Sequence, residues 1–205
     1  MTVPYKRAFT KRVHELLAKG YSVARSDLTS TLEEEVITEK IAFAIDDIIN
    51  DPNSPSIYSR FYVNIEPRVR HGNRTGKRRK RLDLALKCTT SVPHPELLFE
   101  AKRLRAPGHP VGTYLGKNGL LCFVTEEYGK ESHTGVMLGY FQSNDLPHWQ
   151  NKIISGCQGK HKLKTALLMG PIAINVVPAL PGELLSLHNR TTLPISIYHI
   201  LLDCT

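Results

Sequence analysis

Charged residues stand inside two short apolar runs of this chain. Asp83 lies within the run over residues 81–86, and Glu100 and Lys102 lie within the run over residues 96–102. Runs of this length and composition predict β-strands. Because a buried charge is costly unless it is paired or bound to a metal, these residues restrict the chain to folds that bring them together.

Side-chain alternation predicts how these charges are arranged. Successive side chains on a strand point to opposite faces, so the leucines of the first run share one face and Asp83 points to the other. In the second run Leu97 and Phe99 share a face, and Glu100 and Lys102 share the opposite one. If the two strands are antiparallel neighbours, we expect Asp83, Glu100 and Lys102 to converge on one side of the sheet.

The remaining pattern predicts an α/β fold with a mixed sheet. The predicted elements, in order, are a helix over 5–20, a helix between the cap residues 29–31 and the breaker cluster 51–55, a meander of strands over 59–69, 81–88 and 96–103, a helix over 114–128, a strand over 136–141, a helix over 146–154, and strands over 172–177 and 195–202. At 205 residues, a single domain over 1–205 is the expectation.

The three converging charges suit metal-dependent hydrolysis of a phosphodiester. Two carboxylates placed close together repel each other, and a divalent cation removes that penalty. Mg²⁺ favours one or two carboxylates together with waters and phosphate oxygens, which fits Asp83 and Glu100. Lys102 could orient the attacking water, stabilise the developing negative charge, or transfer a proton after its pKa is lowered.

Asp83, sixteen intervening residues and then Glu100-Ala101-Lys102 resemble the motif of the PD-(D/E)xK, restriction-endonuclease-like nucleases, although Leu82 stands where the family name has Pro. The resemblance implies a core of helix, three-strand meander, helix and strand over about residues 30–142, with a small C-terminal αβ extension over about 143–205. It also implies that Asp83 and Glu100 bind Mg²⁺, or Mn²⁺ in its place, together with the backbone carbonyl of Ala101. Lys102 would be the catalytic lysine.

Many members of that family also carry a glutamate on the first core helix. Three candidates stand together, Glu33, Glu34 and Glu35. At 100° per residue Glu34 falls on the apolar face of the helix, whereas Glu35 points almost opposite. We therefore expect Glu34 to be the fourth catalytic residue, with Glu33 as the second choice.

A basic segment immediately precedes Asp83. Eight of the fourteen residues from 68 to 81 are cationic, and the chain as a whole has a formal net charge of +8. The residues predicted to hold the nucleic-acid backbone are Arg70, Arg74, Lys77, Arg78, Arg79, Lys80 and Arg81. The segment contains no aromatic residue, so phosphate contact is expected rather than base stacking. A solvated hairpin or a localisation-like basic run is the alternative interpretation.

Two polar residues near the C-terminus are further candidates for nucleic-acid contact. His188 and Arg190 would share a face if their segment is extended, and they could contact phosphate or brace the site. Together with Gly139-Tyr140, residues 186–190 are similar to parts of nucleases associated with bacterial defence. A His and an Arg that are satisfied locally, with no functional role, are the open alternative.

The sequence thus favours a Mg²⁺-dependent DNA endonuclease of bacterial antiviral defence or restriction. Its size leaves little room for a target-recognition domain, so control by homodimerisation or by a regulatory protein such as an ATPase or a sensor is expected. A cytoplasmic protein without membrane contact is expected, because the widely spaced cysteines suggest reduced thiols and no segment reaches the ~18 apolar residues of a membrane span. The alternatives are a non-catalytic module that binds nucleic acid or protein, and a nuclease that cuts RNA or a particular nucleic-acid structure.

Overall fold

The computed structural model describes residues 3–68, 81–159 and 161–205 and contains a seven-stranded mixed sheet. The strands are β1 Phe61–Ile65, β2 Leu84–Cys88, β3 Glu96–Leu104, β4 Thr134–Phe141, β5 Leu167–Ala173, β6 Leu184–His188 and β7 Ile195–Asp203. The α-helices are α1 Val3–Ala24, α2 Glu34–Asn50, α3 Val111–Tyr114, α4 Leu120–Val124, α5 Leu146–Gly159 and α6 His161–Ala166. The α/β class with a mixed sheet is therefore confirmed.

The sheet places β3 near its centre, in the order β1-β2-β3-β4-β7-β6-β5. Strands β1, β2 and β3 form an antiparallel meander, and β4 and β7 then run parallel to β3. Strands β6 and β5 complete the sheet with antiparallel pairing. The C-terminal extension thus adds its strands to the same sheet as the meander.

Each face of the sheet is covered by apolar side chains. On one face α1 and α2 pack against residues such as Leu84, Phe99 and Leu138. On the other face α3, α4 and α5 pack against residues such as Ala85 and Met137. Covering a sheet on both faces explains why its central strands are apolar almost throughout.

The second strand begins later than the sequence predicted. Asp83 forms a bend outside β2, where its N–H donates to Phe99 O at 3.2 Å and its carbonyl accepts from the N–H of Glu66 at 3.1 Å. Alternation therefore stops at Asp83, and Leu82 packs into the core opposite to that of Leu84. The prediction that the leucines share one face is wrong for Leu82 alone.

Other boundaries differ for identifiable reasons. The predicted helix over 114–128 is reduced to α4, since α3 ends at Tyr114, where the predicted helix was expected to begin. Gly119 at the N-cap of α4 approaches the carbonyl of Tyr114 too closely for a side chain. Helix α2 begins at Glu34 with Glu33 at its N-cap, so the predicted caps at 29–31 lie in the preceding loop. Strand β5 replaces the predicted strand over 172–177, and β6 was not predicted as a strand.

Within the described residues, no helix combines the length and the apolarity that a membrane span requires.

Candidate functional site

Four of the predicted site residues meet beside the C-terminal half of β3. Glu100 and Lys102 lie on β3, Asp83 lies at the bend before β2, and Glu34 is the first residue of α2. The ammonium nitrogen of Lys102 is 2.9 Å from Glu34 Oε1, 2.9 Å from Glu100 Oε1 and 3.9 Å from Asp83 Oδ2. Residues separated by up to 68 positions in the chain are thereby joined around one lysine.

The backbone of β3 forms part of this site because β2 leaves it at that point. The paired register of the two strands ends at Leu84 and Phe99, so the backbone groups that follow face an open edge. The N–H of Ala101 donates to Asp83 Oδ2 at 2.6 Å, and the N–H of Arg103 donates to Glu34 Oε2 at 2.9 Å. The carbonyl of Ala101 accepts a hydrogen bond from the Lys102 ammonium and so faces the same group of charges.

The site holds more negative charge than its lysine can balance. When all three carboxylates are ionised, they and the ammonium give a formal charge of −2. Only 12% of the Lys102 side chain and 6% of the Glu100 side chain are exposed to solvent. Glu100 Oε2 is buried and has no hydrogen-bond partner among the described residues, which is an uncommon and costly state for a carboxylate oxygen. One divalent cation would neutralise this surplus of negative charge.

Three charged groups of the site, Asp83, Glu100 and Lys102, have shifted pKa values. Burial raises the pKa of Asp83 to about 6, although the Lys102 charge and the Ala101 N–H oppose the shift. Burial and then the neighbouring Asp83 raise the pKa of Glu100 to about 8, again against the influence of Lys102. For Lys102, burial acts against the charged form, but the carboxylates of Glu100, Glu34 and Asp83 outweigh it and raise its pKa. Perturbed titration of this kind in an accessible cluster is typical of functional sites.

The donor set fits a hard cation, although the site is not arranged as a metal centre in the present conformation. Among the described residues, no three His, Cys, Asp or Glu side chains are grouped so that they could hold a metal ion as they stand. At this site the Lys102 ammonium lies 2.9 Å from both Glu34 Oε1 and Glu100 Oε1. Asp83, Glu100 and the Ala101 carbonyl nevertheless supply the oxygen ligands that Mg²⁺ prefers, and Glu100 Oε2 has no partner in the part of the chain that the structure describes.

Residues that the sequence analysis did not identify hold Glu34 in position. Thr38 Oγ1 donates to the Glu34 carbonyl at 2.9 Å and therefore accepts from the Tyr140 hydroxyl at 2.9 Å. Gln142 Nε2 donates to the Leu32 carbonyl at 2.7 Å and fixes the loop that leads into α2. The only sequence signal for Thr38 was its place on the buried face of α2, one turn after Glu34.

A second set of contacts holds the segment that carries Asp83. The Tyr128 hydroxyl donates to the Arg81 carbonyl at 3.0 Å. Arg81 itself forms an ion pair with Glu66 at 2.7 Å, and about half of each side chain is exposed. Next to Asp83 lies an open cleft of about 220 Å³ with a largely acidic lining. Its lining residues are Glu35, Thr38, Glu39, Ile65, Glu66 and Asp83.

The other residues predicted to contact nucleic acid either lie outside the described residues or are buried away from this site. Arg70, Arg74, Lys77, Arg78, Arg79 and Lys80 lie outside the described residues. His188 is completely buried, and its ring Nε2 lies 2.8 Å from the hydroxyl oxygen of Ser186. Arg190 is 7% exposed and donates to backbone carbonyls, including those of Gly129 at 3.0 Å and Ser132 at 2.7 Å. A phosphate cannot reach either side chain, so the local, structural alternative applies to both.

Comparison of the chain with protein-family models, with curated proteins and with solved structures finds no match.

Proposed function

We propose that this protein is a Mg²⁺-dependent phosphodiesterase, an endonuclease that cuts DNA. The observation that carries the proposal is the meeting of Glu34, Asp83, Glu100 and Lys102 at an open strand edge, with a surplus of negative charge and an unpartnered buried carboxylate oxygen. These residues resemble the motif of the PD-(D/E)xK nucleases. The order of α2, the β1–β3 meander, the short helices and β4 also agrees with a restriction-endonuclease-like core.

In this proposal, different residues of the site bind the metal and stabilise charge. Asp83, Glu100 and the Ala101 carbonyl would hold the metal, with Mn²⁺ able to replace Mg²⁺. When bound, the metal would lower the pKa of a water and stabilise charge on the scissile phosphate. Glu34 holds Lys102 by an ion pair, and Lys102 remains charged because carboxylates surround it. A charged lysine suits stabilisation of the developing negative charge better than proton abstraction.

DNA is the favoured substrate because of charge and position. The chain carries a net charge of +8, and the basic segment over residues 68–81 directly precedes Asp83. Cations at that place would contact phosphates without reading base sequence. Control by a second copy of the chain or by a regulatory partner, and a role in bacterial antiviral defence or restriction, belong to the same proposal.

The test is cleavage of supercoiled plasmid with Mg²⁺ or Mn²⁺ and with EDTA. We expect nicking by the wild-type protein with either metal and none with EDTA. We expect Lys102→Met to be slower by about 10²–10³-fold, because it removes a charge that stabilises the transition state. Lys87→Met is the matched control, since Lys87 pairs with Glu96 at 2.9 Å at the other end of the same strands and should cut at the wild-type rate.

The outcomes separate the proposal from its alternatives. Equal cleavage by the wild-type protein and Lys102→Met would show that the site does not cut DNA. Cleavage of RNA but not of plasmid, lost in Lys102→Met, would assign the same site to a ribonuclease. Binding of DNA without any metal-dependent cleavage of either polymer would indicate a non-catalytic module.

A further inference from the structure

Two basic residues continue β3 beyond the acidic site. Arg103 and Arg105 lie on alternate positions after Ala101 and therefore share the sheet face that α2 covers. Arg103 is neutralised locally, since its guanidinium is 2.6 Å from Glu33 Oε2. Arg105 is half-buried, and in the described part of the chain its guanidinium has no carboxylate partner and one long hydrogen bond, 3.3 Å to the Ser30 carbonyl.

A tight turn holds Arg105 at this position. The N–H of Arg105 donates to the His109 carbonyl at 3.0 Å, and the N–H of His109 donates back to the Arg105 carbonyl at 2.9 Å. The N–H of Ala106 donates to Ser143 Oγ at 2.9 Å and ties the turn to the end of β4. Arg105 is therefore presented by fixed backbone at the end of the strand that carries the acidic site.

His109 shows that this turn lies within electrostatic range of the acidic site. Its pKa is lowered, first by partial burial and then by the positive charges of Arg103 and Arg105, while Glu33 and Glu34 act in the opposite direction. At about 3.3 Å per residue along a strand, Arg105 lies roughly 10 Å beyond Lys102. That distance corresponds to about three phosphates along one strand of DNA.

We propose that the turn over residues 105–109 is a phosphate-binding subsite, in which Arg105 contacts the nucleic-acid backbone a few nucleotides from the bond to be cut. A guanidinium without a carboxylate partner can give its donors to phosphate oxygens in a bidentate contact. The inference rests on the proposed nuclease function, and it concerns how the substrate is held.

Equilibrium binding of a labelled DNA duplex, measured by fluorescence anisotropy in EDTA over a range of salt concentrations, tests this subsite separately from cleavage. We expect Arg105→Ala to weaken binding by about tenfold at low salt and to reduce the slope of log K against log salt by about 1. Arg105→Lys should restore most of the slope, because it keeps the charge. Arg60→Ala is the control, since Arg60 is an exposed arginine at the opposite end of β1 and β2 from Asp83.

Each result decides the inference without deciding the nuclease function. Wild-type affinity and slope in Arg105→Ala would overturn the subsite, and so would an equal loss in Arg60→Ala or an absence of DNA binding by the wild-type protein. If Arg105→Ala binds more weakly as expected but no variant affects cleavage, the subsite stands and the nuclease proposal fails. Circular dichroism melting of each variant verifies that lost binding does not come from unfolding.

Discussion

Two of the groups of buried polar side chains in the described part of the chain are balanced in different ways. The acidic site beside β3 holds three carboxylates, one ammonium and an unpartnered oxygen of Glu100. A histidine network under β6 and β7 holds Ser186, His188, His199 and Tyr114, of which all four are completely buried. The acidic site has a surplus of negative charge, whereas every residue of the histidine network can be neutral.

The hydrogen bonds of the histidine network fix one arrangement of protons. The Tyr114 hydroxyl donates to the Met137 carbonyl at 3.2 Å, so it accepts from Nδ1–H of His199 at 3.0 Å. His199 Nε2 then accepts from the Ser186 hydroxyl, and the Ser186 oxygen accepts from Nε2–H of His188, both at 2.8 Å. Burial lowers the pKa of His188 to about 4, and burial together with His188 lowers that of His199 to about 3.

The difference explains why one group is a candidate site and the other is part of the core. A neutral network whose donors are satisfied stabilises one packing of the strands, and the atom of this network that is left without a partner among the described residues is an uncharged acceptor, His188 Nδ1. A cluster with surplus charge is costly in the folded protein and gains stability when a cation binds. Surplus charge, and not the mere presence of buried polar residues, therefore marks the place where function is expected.

The largest expected difference is in the rate of DNA cleavage by variants of the acidic site and of the histidine network. We expect Glu100→Gln to reduce plasmid cleavage by about 10²–10³-fold, since a metal ligand and its charge are removed. Ser186→Ala should cleave at the wild-type rate, because Ser186 lies in the neutral network. Initial nicking rates at matched protein concentration measure both, and equal loss in the two variants would abolish the distinction.

Metal binding gives the next largest difference. At a free Mg²⁺ concentration about 100 times Kd, binding to the folded state alone would add roughly 2.7 kcal/mol to the free energy of unfolding. We expect this gain for the wild-type protein and for Ser186→Ala, and its loss in Asp83→Asn. Thermal melting with and without Mg²⁺ and Mn²⁺ measures it. A gain that survives Asp83→Asn would place the metal elsewhere.

Local pattern was sufficient to predict most of the fold. The meander and the apolar strands follow from alternation and turn residues, and the phase of α2 predicted that Glu34 faces the sheet. Helix α6 and strand β6 were missed. In β5, Gly170 and Pro171 interrupt a strand whose pairing with β6 is irregular, and such pairing is decided by tertiary contacts rather than by local propensity.

The candidate site was predicted in its side chains but not in its supports. Charges in apolar strands are conspicuous, so Asp83, Glu100 and Lys102 could be identified. Thr38 and Gln142 are ordinary polar residues whose partners are backbone carbonyls, and no spacing in the sequence reveals such contacts. His188 was misassigned because its burial comes from tertiary packing; it bonds Ser186 on the same strand, and Ser186 in turn bonds His199 on the neighbouring strand.

The pH dependence of stability should have opposite signs for the two groups. Glu100 has a folded pKa of about 8, above its ordinary 4.5, so its contribution to stability is present below 4.5 and is lost as the pH rises through 8. His188 and His199 have lowered values, so their contribution increases as the pH rises and is complete near 6.5. Asp83 titrates in the folded protein at about 6, which leaves Glu100 as the main contributor above that.

We therefore expect the metal-free protein to lose about 2 kcal/mol of unfolding free energy as the pH rises from about 6.5 to 8. Glu100→Gln should show little change over that interval, because glutamine does not titrate. Urea unfolding in EDTA at both ends of the interval measures the difference. The same decrease in both proteins would mean that Glu100 does not cause it and that the pKa of Glu100 is not raised in the folded protein.

The smallest expected effect is the loss of unfolding free energy when hydrogen bonds of the histidine network are removed. Ser186→Ala removes the donor to His199 and the acceptor for His188, which should lower the free energy of unfolding by about 1–2 kcal/mol. Because neither histidine titrates near neutral pH, this loss should be the same at both ends of the interval, unlike the loss that depends on Glu100. Urea unfolding of Ser186→Ala alongside the wild-type protein measures it. A loss that grows with pH would mean that the network carries charge, and the contrast between a neutral core and a charged site would no longer hold.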